Sequence, residues 1–140
     1  MISVVKEMTF DAAHMLSNYL GKCSNLHGHT YKLQVVMSLP SVPQDTGMVM
    51  DFNVLQAQME DVVSCYDHSI VFSAPSKRSS AEQVLYTWAM DNHMSLQVMP
   101  ESLGLCTVEN IATDILHRMG EDHIAVRLWE TPTSFVEVTC

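Results

Sequence analysis

The stretch Cys23-Ser24-Asn25-Leu26-His27-Gly28-His29 places a thiol and two imidazoles within seven residues. Histidines at i and i+2 project to the same side of an extended backbone, because strand side chains alternate. Gly28, between them, lets the backbone come close to a ligand. Neutral imidazole is a common zinc ligand, and a thiolate serves either as a ligand or as a base. The stretch therefore reads as a metal site with a reactive thiol beside it. Two histidines leave a catalytic zinc one protein ligand short, and the candidate third is His14. Taken alone, His14 reads more readily as a hydrogen-bonded core histidine. His27 and His29 turn the balance, since imidazoles at the mouth of an apolar face need partners, and a shared metal supplies them.

Three further groups carry chemistry. In Asp67-His68, a carboxylate beside an imidazole can fix its tautomer and raise its basicity, although a turn with a surface histidine has the same appearance. Glu130 ends an otherwise apolar face formed by Ile124, Val126 and Leu128. As a functional group it would accept paired N–H donors from a flat heterocycle; the plain alternative is an exposed strand end. Thr107 fits a helix N-cap, and Glu109, in the first turn, suits the helix dipole.

These residues need elements to hold them. Residues 2 to 14 alternate as a half-buried strand whose inner face, from Ile2 to Ala12, continues to His14. A loop over 15 to 26 leads to a second strand, about His29 to Leu39, with Tyr31, Leu33, Val35 and Met37 on the face whose parity His27 and His29 share. Asp51 caps a helix over about 52 to 64, and residues 73 to 79 form a loop. Ser80 with Gln83 fits a capping box opening a helix that reaches about Asn92. A short strand at Leu96 to Met99 follows, and then a helix from Thr107 to Gly120. Two strands, about His123 to Thr131 and Phe135 to Thr139, close a single domain over 1–140.

Composition excludes several classes. The 140 residues are 47% hydrophobic and 16% charged, which suits a folded domain rather than a disordered chain. A net charge of −9 with seven Lys and Arg argues against nucleic-acid binding, which rests on neutralising phosphates. No apolar run approaches the roughly 18 residues of a membrane span. No signal-peptide pattern opens the chain, so a cytoplasmic protein with reduced cysteines is expected.

Six segments in order give the chain a resemblance to a known family: Phe10-Asp-Ala-Ala-His14, Cys23 to His29, Gly47 to Phe52, Asp67-His68, Thr107 to Ala112, and Trp129 to Ser134. It resembles the 6-pyruvoyl-tetrahydropterin synthase superfamily. The three-residue gap between Cys23 and His27, together with Glu130-Thr-Pro-Thr-Ser134, points to the bacterial 6-carboxy-tetrahydropterin synthases of queuosine biosynthesis. That resemblance implies an α+β tunnelling fold: a four-stranded antiparallel sheet with helices on one face, oligomerising into a barrel. The implied assembly is a homohexamer built from two trimers. Residue by residue it implies His14, His27 and His29 as Zn2+ ligands and Cys23 as the catalytic base. It also implies Asp67 and His68 as an acid–base pair serving a neighbouring subunit, Glu130 as the pterin anchor, and Thr107 and Glu109 beside the pterin pocket. The implied partner is a pterin triphosphate, 7,8-dihydroneopterin triphosphate, cleaved by a carbon–carbon lyase. A related pterin lyase with a pyruvoyl product, and a non-catalytic pterin- or zinc-binding protein, are the alternatives. The chain departs from the family at Cys106, where proline is usual, and over Ile70 to Leu105, which match poorly. Lys22, Lys32 and Arg127 are the candidates for meeting phosphates.

Overall fold

The computed structural model describes residues 1–120 and 124–140. Its centre is the long hairpin of β1 (Ile2–His14) and β2 (His27–Leu39), antiparallel from Ile2↔Leu39 to His14↔His27. Alternation makes this hairpin one-sided. Phe10, Ala12, Tyr31, Leu33 and Val35 are buried, whereas Glu7, Thr9 and Asp11 are exposed on the other face. Phe10 and Tyr31 stack with ring centroids 5.1 Å apart.

β5 (Ile124–Thr131) pairs antiparallel with β2, and β6 (Ser134–Thr139) pairs with β5. The expected start of this strand at His123 lies outside the described residues. α1 (Phe52–Val63) and α3 (Val108–Met119) cover the apolar face, burying Leu55, Met59, Ile111 and Ile115 against it. Both helices begin as their sequences dictate. Asp51 accepts from the Asn53 N–H at 2.7 Å and Thr107 from the Asn110 N–H at 3.4 Å.

The expectation of four antiparallel strands is corrected to six strands of mixed direction, in the order β4-β3-β1-β2-β5-β6. The strands beyond those four are β3 (Ser69–Phe72), parallel to β1, and β4 (Leu96–Val98), parallel to β3, the latter where the residues lead to the expectation of a short strand. β3 has four residues and is buried on both faces, so it shows none of the alternation that marks a strand in sequence. A second correction concerns α2 (Ser80–Asp91). Its N-cap is Ser79, whose hydroxyl accepts from the Glu82 N–H at 3.2 Å, not Ser80 with Gln83.

α3 stops at Gly120, which adopts φ 65°, a left-handed conformation that disfavours any side chain. A Cβ there would meet only the Arg118 carbonyl, at 3.9 Å, so the penalty is backbone strain alone. Gly120→Ala should therefore cost about 1 kcal/mol, read in thermal unfolding as a drop of roughly 4 °C. An unchanged midpoint would contradict the left-handed cap.

Candidate metal centre and active site

The antiparallel register itself sets His14 opposite His27. His29, opposite Ala12, shares the parity of His27 and falls on the same inner face. The ligand nitrogens of the three rings lie within 4.8 Å of one another, and His14 Nε2 stands 3.1 Å from His27 Nε2. Two zinc–nitrogen bonds at the tetrahedral angle span about 3.3 Å, so the spacing suits a shared ion.

Hydrogen bonding sets the tautomers. His14 Nδ1 donates to the Cys106 carbonyl at 2.8 Å, and His27 Nδ1 donates to the Asn25 carbonyl at 2.7 Å. Both Nε2 atoms then offer lone pairs to each other, an arrangement that repels unless a proton or a metal ion lies between them. His29 Nε2 is buried and, among the described residues, makes no hydrogen bond of good geometry, its ionic contact with Glu130 aside. Donor type, spacing and the orphaned nitrogen together fit a metal ion held by His14, His27 and His29.

Glu130 completes the cluster. Its Oε1 lies 3.3 Å from both His14 Nε2 and His29 Nε2. The hydrogen bond with His14 holds the Glu130 carboxyl below the usual range. Burial works against charge on His14, but contacts with Cys106 and Glu130 outweigh it and raise the imidazole to about 10. Burial lowers His29. The pocket as a whole favours a positive charge among the imidazoles, which a proton or a metal ion can supply. The sequence marked Glu130 as unusual but did not reveal that it meets the imidazoles.

Cys23 sits half-buried on the 3-10 turn Lys22–Ser24, whose position is pinned by the Leu16 N–H donating to the Cys23 carbonyl at 2.8 Å. Its thiol lies outside the three-imidazole cluster. Lys22, beside it, is exposed, whereas Lys32 stacks over Trp129 and Arg127 pairs with Glu137.

Asp67 and His68 form a separate group at the β1–β3 edge. Asp67 Oδ1 accepts from the Asp11 N–H at 3.0 Å and lies 3.0 Å from His68 Nδ1. The Asp11 N–H chiefly holds the Asp67 carboxyl below its ordinary range, so it stays ionised and fixes the proton on His68 Nδ1. His68 adopts φ 56°, a costly conformation for a side chain with a Cβ, held by its N–H donating to the Asp11 carbonyl at 2.6 Å. Both side chains are exposed, and His68 lines an open cleft of about 490 Å³ together with Gly28, His29 and Thr30. The part played by Asp11 gave no signal in sequence, where it is one more polar residue on a strand's outer face.

Thr107 and Glu109 open α3 directly after Cys106. Thr107 lines a cavity of about 160 Å³ with Leu16, Asn18, Tyr19, Ser73 and Leu105, whereas Glu109 is exposed. Among the described residues, neither bonds to Glu130.

Comparisons with known proteins agree along the whole chain. Residues 3–140 match the family described as 6-pyruvoyl tetrahydropterin synthase. A 6-carboxy-5,6,7,8-tetrahydropterin synthase of Haemophilus influenzae is 38% identical, with 98% of each chain covered. A putative enzyme of the same name from Pyrococcus abyssi is 32% identical, covering 93% of this chain and 85% of its own. Among solved structures, 6-pyruvoyl tetrahydropterin synthase of Plasmodium falciparum superposes with a TM-score of 0.69 at 21% identity, covering 98% of this chain and 96% of that one. The Caenorhabditis elegans enzyme gives 0.68 at 21% identity, with 99% and 95% covered. At those identities the structures speak for the fold. Among the described residues, no helix is long and apolar enough to cross a membrane.

Proposed function

The chain belongs to the 6-pyruvoyl tetrahydropterin synthase family, and from that premise we propose that it is a zinc-dependent 6-carboxy-5,6,7,8-tetrahydropterin synthase. It converts 7,8-dihydroneopterin triphosphate to 6-carboxy-tetrahydropterin, with release of acetaldehyde and triphosphate, in queuosine biosynthesis. The observation that carries the reading is the convergence of the His14, His27 and His29 nitrogens within 4.8 Å, with an orphaned lone pair among them. Full-length identity of 38% to a relative of that name directs it to the carboxy product.

His14, His27 and His29 would hold the zinc. Bound there, zinc would act as a Lewis acid toward the oxygens of the substrate side chain, making the neighbouring C–H and O–H more acidic. Cys23, half-buried on its turn, takes the proton from that carbon. Asp67 fixes the tautomer of His68, so Nε2 is the nitrogen that gives and receives protons as the side chain is cleaved. The exposure of both side chains, with His68 on an open cleft, suits a pair that acts in the site of a neighbouring subunit, within a homohexamer of two trimers. Glu130 accepts the N–H edge of the pterin, and both of its imidazole contacts are made by Oε1, which leaves Oε2 to the ligand. Thr107 and Glu109 are assigned to the border of the ring pocket, and the exposed Lys22, next to Cys23, to the phosphates.

The test is an incubation of zinc-loaded protein with 7,8-dihydroneopterin triphosphate. Acetaldehyde together with a carboxy-pterin by mass spectrometry is the expected result. A pyruvoyl product would move the chain to the sister activity, and no turnover by the zinc-loaded protein would overturn the reading.

A further inference from the structure

Glu82 is fully buried, and among the described residues no Lys, Arg or His nitrogen lies within 4.0 Å of its carboxylate. A buried carboxylate without a cation is costly, and it persists only where its hydrogen bonds and field serve something. Its sequence context, Ser79-x-x-Glu82, is that of a capping box, in which the side chain would turn back to the N-cap N–H. It turns inward instead, and everything it meets leads to His14. Oε2 accepts from the Ser17 hydroxyl at 2.7 Å, three residues after His14. Oε1 accepts from the Ser73 N–H at 2.6 Å and faces the Cys106 thiol at 4.0 Å.

Ser73 and Cys106 carry the connection onward. The Ser73 hydroxyl accepts from the Cys106 N–H at 3.2 Å, and the Cys106 thiol lies 3.4 Å from the Met15 carbonyl. The Cys106 carbonyl then takes the Nδ1 proton of His14 at 2.8 Å. Cysteine at this position supplies both an N–H and a thiol; proline, which has no N–H, could not make the bond to Ser73. Asn110 fixes the same segment through the Leu103 and Leu105 carbonyls, each at 2.9 Å.

We propose that Glu82 is a positioning residue for the metal centre: with Ser73 it clamps Cys106, whose carbonyl orients His14 and strengthens it as a ligand. The inference rests on the reading of His14, His27 and His29 as ligands. Outer groups that hold a ligating histidine set both its tautomer and its basicity, and a negative charge behind the peptide makes the carbonyl a stronger acceptor.

The test measures zinc affinity by competition with a chromophoric chelator, and the absorption bands of the cobalt-substituted protein, for the wild type, Glu82→Gln and Gly120→Ala. Glu82→Gln keeps the shape and removes the charge. It should weaken zinc by about 10- to 100-fold and shift the cobalt bands. Gly120→Ala should lower the unfolding midpoint with zinc affinity and bands unchanged, separating general destabilisation from ligand positioning. If Glu82→Gln does not fold, Ser17→Ala, which removes one bond from Oε2, takes its place with a smaller loss in the same direction. Unchanged zinc affinity and cobalt bands in the folded variant overturn the proposal. A wild-type chain that binds no zinc would overturn the ligand reading itself, and that failure appears before any variant is made.

Discussion

His27→Ala is expected to fold and to lose both zinc and turnover. His27 is half-buried at the end of the hairpin, and among the described residues its ring hydrogen-bonds only the Asn25 carbonyl and the His14 ring, so no core packing depends on it. Removing it leaves two protein ligands where a catalytic zinc takes three. Disturbing an outer group already costs 10- to 100-fold in metal affinity, so loss of a ligand should exceed about 100-fold. Lewis-acid stabilisation is worth several kcal/mol, and each 1.36 kcal/mol is a decade in rate, so activity should fall by about a thousandfold or more. Metal-free protein offers a separate reading, because without an ion the protonated His14 donates its Nε2–H to His27 Nε2 at 3.1 Å, and the variant removes that hydrogen bond. Its metal-free form should lose about 1 kcal/mol of stability, while the stabilisation that zinc gives the wild type, about 2.7 kcal/mol at a hundred times Kd, disappears. A variant that stays fully active without metal would end the zinc mechanism.

Cys23→Ala should do the reverse to the metal: zinc stays stoichiometric and turnover falls. The thiol lies outside the imidazole cluster, and the turn is held by its backbone, through the Leu16 N–H and the Gly21 and Lys22 carbonyls, none of which needs the side chain. A positioned base contributes about 10²- to 10⁴-fold, and that is the expected loss in kcat, with the unfolding midpoint little changed. Loss of stoichiometric zinc would instead make the thiol a fourth ligand and the site a closed, structural one.

Much of the centre was legible before any tertiary structure. His27 and His29 announce themselves because a period of two is a local property of a strand, and the apolar parity of Tyr31, Leu33 and Val35 says which way both rings face. Asp51, Thr107 and Gly120 were legible for the same reason, since a cap is decided by the residues within a turn of it. β3 was not, because a strand buried on both faces carries no alternation.

What the chain determined alone is therefore local: strand parity and helix ends. Only the tertiary structure decided which distant groups meet. The hairpin register brings His14 against His27, the pairing of β5 with β2 carries Glu130 to the imidazoles, and Asp11 lends its backbone to Asp67 and His68. Glu82 is the clearest case: its local pattern is that of an exposed helix cap, yet the fold buries its carboxylate behind Cys106. Contacts of this kind depend on where separate elements come to rest against one another, and no periodicity within either element records that.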